Sequence, residues 1–255
     1  MFWIELFILF FLGLIFGSFL NVMVYRIHKD EDWIFSRSKC VHCNTKLELL
    51  DLIPLFSYIF LKGRCRYCKK SISIFYVFGE LTLALLWTML PLLGYGLDNI
   101  ITYILMAIIF ASLGIFMSDF SYREIPLIFL LILGLFGLIY NIIVGQFDFL
   151  GMLIGLTFVS LFFGLPFLIT KGRGMGLGDL FLGFVLVMTL GFYKTIFTIT
   201  MAYVVAAALY LTLLVFRKID KKYQIPIGSF IIFSFLIVLF FGSVIIDWYY
   251  SLIFY

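Results

Sequence analysis

Asp119 and Asp179 stand in settings where an acid is costly and therefore informative. The first closes an apolar run ending Phe116-Met117-Ser118-Asp119. The second ends the glycine ladder Gly172-Arg173-Gly174-Met175-Gly176-Leu177-Gly178-Asp179 and opens another apolar run. A carboxylate at the rim of a lipid-facing helix points to function. Taken singly, each acid reads equally well as an interfacial charge; two in matching settings favour chemistry. Two carboxyls brought within a few ångströms cannot both ionise cheaply, so they share a proton. One member can then activate water while the other polarises a carbonyl, which is peptide hydrolysis without a covalent intermediate. Gly176 and Gly178 form the loop before the second acid, where glycine permits unusual dihedrals and close approach of another segment. The helix dipoles assign the charge to Asp179, at an N-terminal end, and the shared proton to Asp119, at a C-terminal end. No serine or cysteine nucleophile has a placed base, and His28 and His42 both fall in one polar loop.

A second constellation is Cys40-Val41-His42-Cys43 with Cys65-Arg66-Tyr67-Cys68. Two C-x-x-C knuckles separated by a loop are the sequence form of a closed tetrahedral zinc site. Each supplies two thiolates from one tight turn. The piece that carries them, from Ile27 to Ser73, is too small to build much of a core, and a structural zinc would stabilise it. On the cytoplasmic face thiols stay reduced, which disfavours a disulfide framework. Glu80, about 10 Å into the next apolar run at 1.5 Å per residue, is expected to face a protein-lined cavity beside Asn21 and Arg26.

These groups must be positioned by apolar helices. The 255 residues are 64% hydrophobic and 13% charged, with mean hydropathy +1.18, more apolar surface than a soluble domain can cover. The fold class expected is an all-α polytopic membrane protein. Eight apolar segments are predicted, near 2–25, 74–94, 98–118, 125–145, 149–170, 177–192, 195–216 and 227–250. Cations cluster after the first, third, fifth and seventh segments, the last group being Arg217, Lys218, Lys221 and Lys222. Of the 18 Lys and Arg residues, only Lys194 falls in a loop of the other set. The positive-inside rule makes the rich side cytoplasmic and sends both termini outward. Both acids then lie at the cytoplasmic boundary. The sixth segment is short for a span, so the glycine ladder must supply depth, and Asp179 is expected in a wet notch just below the surface. The loop's cations are scattered, so attraction to anionic lipid explains them better than nucleic-acid binding. The net charge of +4 therefore implies a lipid bilayer as partner and no nucleic acid.

With these residues in view, the chain resembles the bacterial type IV prepilin peptidases, the leader peptidases and N-methyltransferases of pilus, secretion and competence systems. The resemblance rests on Gly17-Ser18-Phe19-Leu20-Asn21-Val22 with Arg26, both cysteine knuckles, and Asp51-Leu52-Ile53-Pro54-Leu55-Phe56-Ser57-Tyr58. It continues through Gly63-Arg64-Cys65-Arg66, Glu80-Leu81-Thr82, Asp119 with Pro126, Gly174 to Asp179, and Pro226-Ile227-Gly228. It implies an aspartyl peptidase of the G-x-G-D type with Asp119 and Asp179 as its pair. The implied substrates are prepilins or pseudopilins, whose basic leader is cut at the inner face of the bacterial cytoplasmic membrane. It implies methylation of the new N-terminus with S-adenosylmethionine. It divides the chain into a methyltransferase-associated region with the zinc loop (1–96), a peptidase core (97–220) and a last span (221–255). Phe181 departs from the pattern, standing where the family usually has lysine, and so does Leu127, where a polar residue commonly follows the proline. Three rival readings are a presenilin-like intramembrane peptidase, a proton-coupled transporter relaying through the two aspartates, and a purely structural zinc-bearing scaffold. The zinc loop and the edge placement of the acids disfavour the first. The lack of an internal repeat with matching helix breaks disfavours the second.

Overall fold

The computed structural model describes residues 2–33, 36–172, 175–216 and 225–254. Arg173 and Gly174 of the glycine ladder lie outside the described residues, as do Arg217, Lys218, Lys221 and Lys222. The described residues form helices joined by loops, with two isolated β-bridges and no strand. They divide into two units, Met1–Gly114 and Ile115–Tyr255.

In the first unit, α1 (Phe2–Ile27) runs antiparallel to α3 (Ile74–Leu92). Small residues set how close they come. A Cβ on Gly13 would lie 2.4 Å from the Ala84 Cα, and one on Gly17 would lie 2.6 Å from the Glu80 Cα, so the two backbones touch. This is the small-residue contact by which membrane helices gain packing without a hydrophobic driving force. Nearer the loop, the buried Asn21 amide donates to the Tyr76 carbonyl at 2.8 Å. The Trp87 indole donates to the Met106 carbonyl at 3.2 Å, tying α3 to α4 (Ile100–Tyr122).

The polar loop between α1 and α3 has little helix, with a 3-10 turn at Leu49–Asp51 and the short α2 (Phe56–Phe60). Arg26 organises its start. Buried at the end of α1, it donates to the carbonyls of Ser36 at 2.8 Å and Arg37 at 3.0 Å.

In the second unit, α5 (Leu127–Ile143), α6 (Phe149–Val159) and α9 (Ile227–Phe254) all pack on α8 (Leu177–Val215). From α6 the chain passes through one π turn, Ser160–Gly164, into α7 (Leu165–Thr170). Glycines again mark the contacts. Gly137 faces Thr189, Gly155 faces Val187, and Gly183 faces Val159 and Phe163.

α8 is broken at Gly191, whose φ of 74° and ψ of −179° lie in a region that is essentially glycine-only. The chain reverses there. Phe163 touches Gly183 while the adjacent Phe162 meets Tyr203 edge-to-face, ring centroids 5.8 Å apart. On an unbroken helix those two contacts would be about 30 Å apart. Asn141 steadies the break by donating to the Met188 carbonyl at 3.1 Å.

Among the described residues, six helices are long and apolar enough to cross a membrane, not the eight expected. Two features account for the difference. The segment near 125–145 forms only the 17-residue α5. The sixth and seventh segments form one 39-residue run whose turn is the single residue Gly191 rather than a loop. The arm before Gly191, from Leu177, is only about 21 Å long against about 30 Å of hydrocarbon.

Candidate active site and cysteine cluster

Asp119 lies one turn before the end of α4, which stops where Arg123 takes a left-handed φ of 58°. Its carboxylate is buried, with 6% of the residue exposed. The partners come from the start of α9. Ser229 donates twice to Asp119 Oδ2, from its amide and from its hydroxyl, the latter at 2.7 Å. The first amides of a helix have no partner within it, and an acid at that end meets the positive pole of the dipole. Asp119 thus supplies an acceptor to a helix that starts 108 residues later at Ile227.

Gly228 is what lets it approach: a Cβ there would lie 3.0 Å from the Asp119 carboxyl carbon. The dipole argument made from sequence saw each acid only on its own helix. The N-terminus of α9 offsets the unfavourable pole that α4 presents to Asp119, so the helix-end contrast between the two acids does not hold.

Asp179 is the third residue of α8 and half-buried. Its Oδ2 accepts the Gly176 amide at 3.3 Å, so the acid closes the first turn of its own helix. Gly176 is the residue before that helix, in extended conformation (φ −83°, ψ 154°). Gly178 faces Ile125, which a Cβ would meet at 3.1 Å. The glycine ladder is therefore partly helical rather than a loop throughout, α8 beginning at Leu177.

The fold sets the helix ends that carry the two acids against one shared residue. Ile125 packs against both Gly178 and Gly228, and Gly228 abuts the Asp119 carboxyl. Asp119 lies within electrostatic range of Asp179, and so does Tyr203 on the returning arm of α8. Reasoning from sequence missed Ser229 and Tyr203. The signal for Ser229 was present in Pro226-Ile227-Gly228-Ser229, a bent, small-residue helix entry on the same side as the acids. Nothing local marks Tyr203, because its place depends on the reversal at Gly191.

The four cysteines form one cluster. All four Sγ atoms lie within 4.8 Å of one another, with Cys40 and Cys68 at 4.0 Å. Thiolates about 2.3 Å from a tetrahedral metal stand about 3.8 Å apart, so the set fits such an ion. The knuckles are built alike. Cys40 and Cys65 each donate an amide back to the residue after a left-handed turn, to the Thr45 and Lys70 carbonyls at 3.0 and 2.9 Å. Asn44 (φ 55°) and Lys69 (φ 60°) supply those turns. Asp51 anchors the second knuckle, with Arg66 Nε at 2.8 Å and the Tyr67 hydroxyl donating at 3.2 Å.

The thiols differ sharply in acidity. The Thr45 hydroxyl and amide draw Cys43 down to about 6. The Lys70 amide pulls Cys68 down too, yet burial and the neighbouring thiols outweigh it and push Cys68 up to about 11. A cation at the centre is what would let all four ionise.

Residues 106–212 match the profile of the Type IV leader peptidase family, and residues 11–93 that of the Bacterial Peptidase A24 N-terminal domain. A prepilin leader peptidase/N-methyltransferase of Aeromonas hydrophila is 29% identical to this chain, over 97% of it and 94% of the relative. The protein of that name from Stutzerimonas stutzeri is 30% identical over 86% and 85%, respectively. The one from Aeromonas salmonicida strain A449 is 29% identical over 98% and 96%. No solved structure matches the chain.

Proposed function

The chain belongs to the type IV leader peptidase family, and from that premise we propose that it is a membrane aspartyl endopeptidase that removes the leader of prepilins or pseudopilins. The observation that supports the reading is that Asp119 lies within electrostatic range of Asp179 at the helix ends of the second unit, with Ser229 holding Asp119. Between them the acids hold one proton. The ionised carboxylate takes a proton from water as the oxygen attacks the scissile carbonyl. The protonated partner donates to the carbonyl oxygen, giving a neutral tetrahedral intermediate. Collapse breaks the C–N bond while the amine leaves with the proton that the base acquired, and the acid recovers its own. No residue is modified during the cycle.

Cleavage occurs at the cytoplasmic face of a bacterial membrane that the chain crosses several times, with both termini outside by the distribution of cations. A presenilin-like or proton-transporter reading has no support in the relatives' names, which all describe a leader peptidase/N-methyltransferase. Purified protein mixed with a prepilin tests the proposal. Mass spectrometry is expected to show leader release by the wild type and intact prepilin with Asp119→Asn or Asp179→Asn. Full cleavage by both variants overturns it.

A second activity is methylation of the new N-terminus. S-adenosylmethionine, when bound, supplies a methyl group whose bond to a positive sulfur breaks as the pilin amine forms its own bond to that carbon. The N-terminal unit, with its own family profile over 11–93, is assigned to this step. Zinc is the ion assigned to the four cysteines, as a structural clasp for the loop.

A further inference from the structure

We propose that the cavity between α1, α3 and the cysteine loop is the methyl-donor site, with Glu80 facing the positive charge of S-adenosylmethionine. The proposal rests on the methyl-transfer reading above and adds to it a place and a recognition chemistry. The cavity has a volume of about 760 Å³. That falls within the roughly 300–1,000 Å³ of small-molecule sites and is ample for a nucleoside carrying an amino-acid arm.

Its charges select the ligand. Four cations line it, Arg26, Lys29, Lys39 and Arg66, with three acids, Glu31, Asp51 and Glu80. Glu31 is paired with Lys39 at 3.3 Å and Asp51 with Arg66 at 2.8 Å. Arg26, which also lines it, points its guanidinium donors at the carbonyls of Ser36 and Arg37. Glu80 is buried, 8% exposed, and among the described residues no cation pairs with it. A buried carboxylate without a countercharge is costly unless a ligand brings one. S-adenosylmethionine brings two positive centres, its sulfonium and its ammonium. Tyr25, Tyr58 and Tyr76 line the same space, residue types suited to adenine stacking or to a cation over a ring face.

The position of Glu80 is built from both sides. Behind it, the Gly17 contact presses its backbone against α1. In front, Oε2 accepts the Leu55 amide at 2.7 Å. Leu55 sits at the centre of a γ-turn (φ 63°, ψ −51°), closed by the Phe56 amide on the Pro54 carbonyl at 2.6 Å. That conformation is rare and strained for a leucine, and such strain collects at ligand sites. It turns the Leu55 amide out of the local helix and toward the carboxylate.

The test uses the full-length, metal-loaded protein in detergent. Ultraviolet cross-linking of radiolabelled S-adenosylmethionine to the wild type is expected to label peptides within residues 18–80; label confined to 115–245 overturns the proposal. By calorimetry with sinefungin, a non-reactive analogue, Glu80→Gln is expected to weaken binding at least tenfold and the charge-keeping Glu80→Asp less. Val77→Trp, which fills the cavity from α3, is expected to abolish binding. Thermal unfolding and metal content report whether each variant folds. Wild-type affinity in folded Glu80→Gln and Val77→Trp overturns the cavity assignment. If the wild type binds no donor and leaves a mature pilin N-terminus unmethylated, the methyl-transfer reading falls with it. If methylation persists in folded Val77→Trp, only the site falls.

Discussion

Ser229→Ala tests the active-site geometry at its most specific point. The serine hydroxyl has one proton to give, and two acceptors lie in reach, Asp119 Oδ2 at 2.7 Å and the Phe116 carbonyl at 3.3 Å. The shorter contact, to an acid, is the stronger one. Hydrogen bonds to charged groups contribute about 1.5–3 kcal/mol. The Ser229 amide still donates to Oδ2 after the substitution, so the acid keeps one of its two donors and the loss belongs near the lower bound. At about 1.4 kcal/mol per tenfold in rate, kcat is expected to fall roughly 10- to 30-fold. KM should hardly move, because Ser229 holds an acid rather than the substrate. The assay is cleavage of a full-length prepilin in detergent, with initial rates followed over substrate concentration. Ser229→Thr keeps the hydroxyl and is expected to recover most of the rate. Ser112→Ala removes an equally buried hydroxyl that donates only to the Ile108 carbonyl, and controls for a general loss of stability. An unchanged kcat in Ser229→Ala, or equal rate losses in it and Ser112→Ala, would refute the role given to Ser229.

Three further outcomes are expected. Gly191→Ala forces an L side chain into the φ 74°, ψ −179° conformation, at a cost of about 1–3 kcal/mol, read as a lower thermal midpoint. An unchanged midpoint would mean the helical hairpin does not depend on that residue. Cys65→Ser, or chelation of the wild type, is expected to take bound zinc from about one ion per chain to none and to open residues 36–72 to protease, since metal binding here is folding energy. Full metal content in the serine variant would refute the four-thiolate site. Gly17→Val places a branched side chain where a Cβ alone would meet the Glu80 Cα at 2.6 Å; the parting of α1 from α3 is expected to cost about 1–3 kcal/mol and to weaken donor-analogue binding. A melting curve and binding isotherm equal to wild type would contradict the close contact.

Much of the chemistry was legible because it is carried by residue type. An acid at the edge of an apolar run, or cysteines in two knuckles, is costly or improbable by chance, and the sequence shows such residues directly. Glu80 belongs in the same group: a carboxylate a turn and a half into a membrane helix points to a cavity, and it lines one. Distances between segments were not legible. Treating the 177–216 stretch as two spans with an ordinary loop missed that one glycine makes the turn, since a single left-handed residue has no hydropathy signature.

The sequence by itself marked a helical membrane protein, a four-cysteine cluster, and two acids at the edges of apolar runs. Hydropathy, charge and ligand spacing are properties of short stretches and survive without knowing the fold. Only the tertiary structure decided that Ser229 braces Asp119, that Tyr203 returns toward Asp179, and that the Leu55 amide meets the Glu80 carboxylate. Each of these joins residues separated by 24 or more positions, and two of the three do so through a backbone amide. Every residue except proline carries an amide, so its partner is chosen by packing and not by the residue's identity.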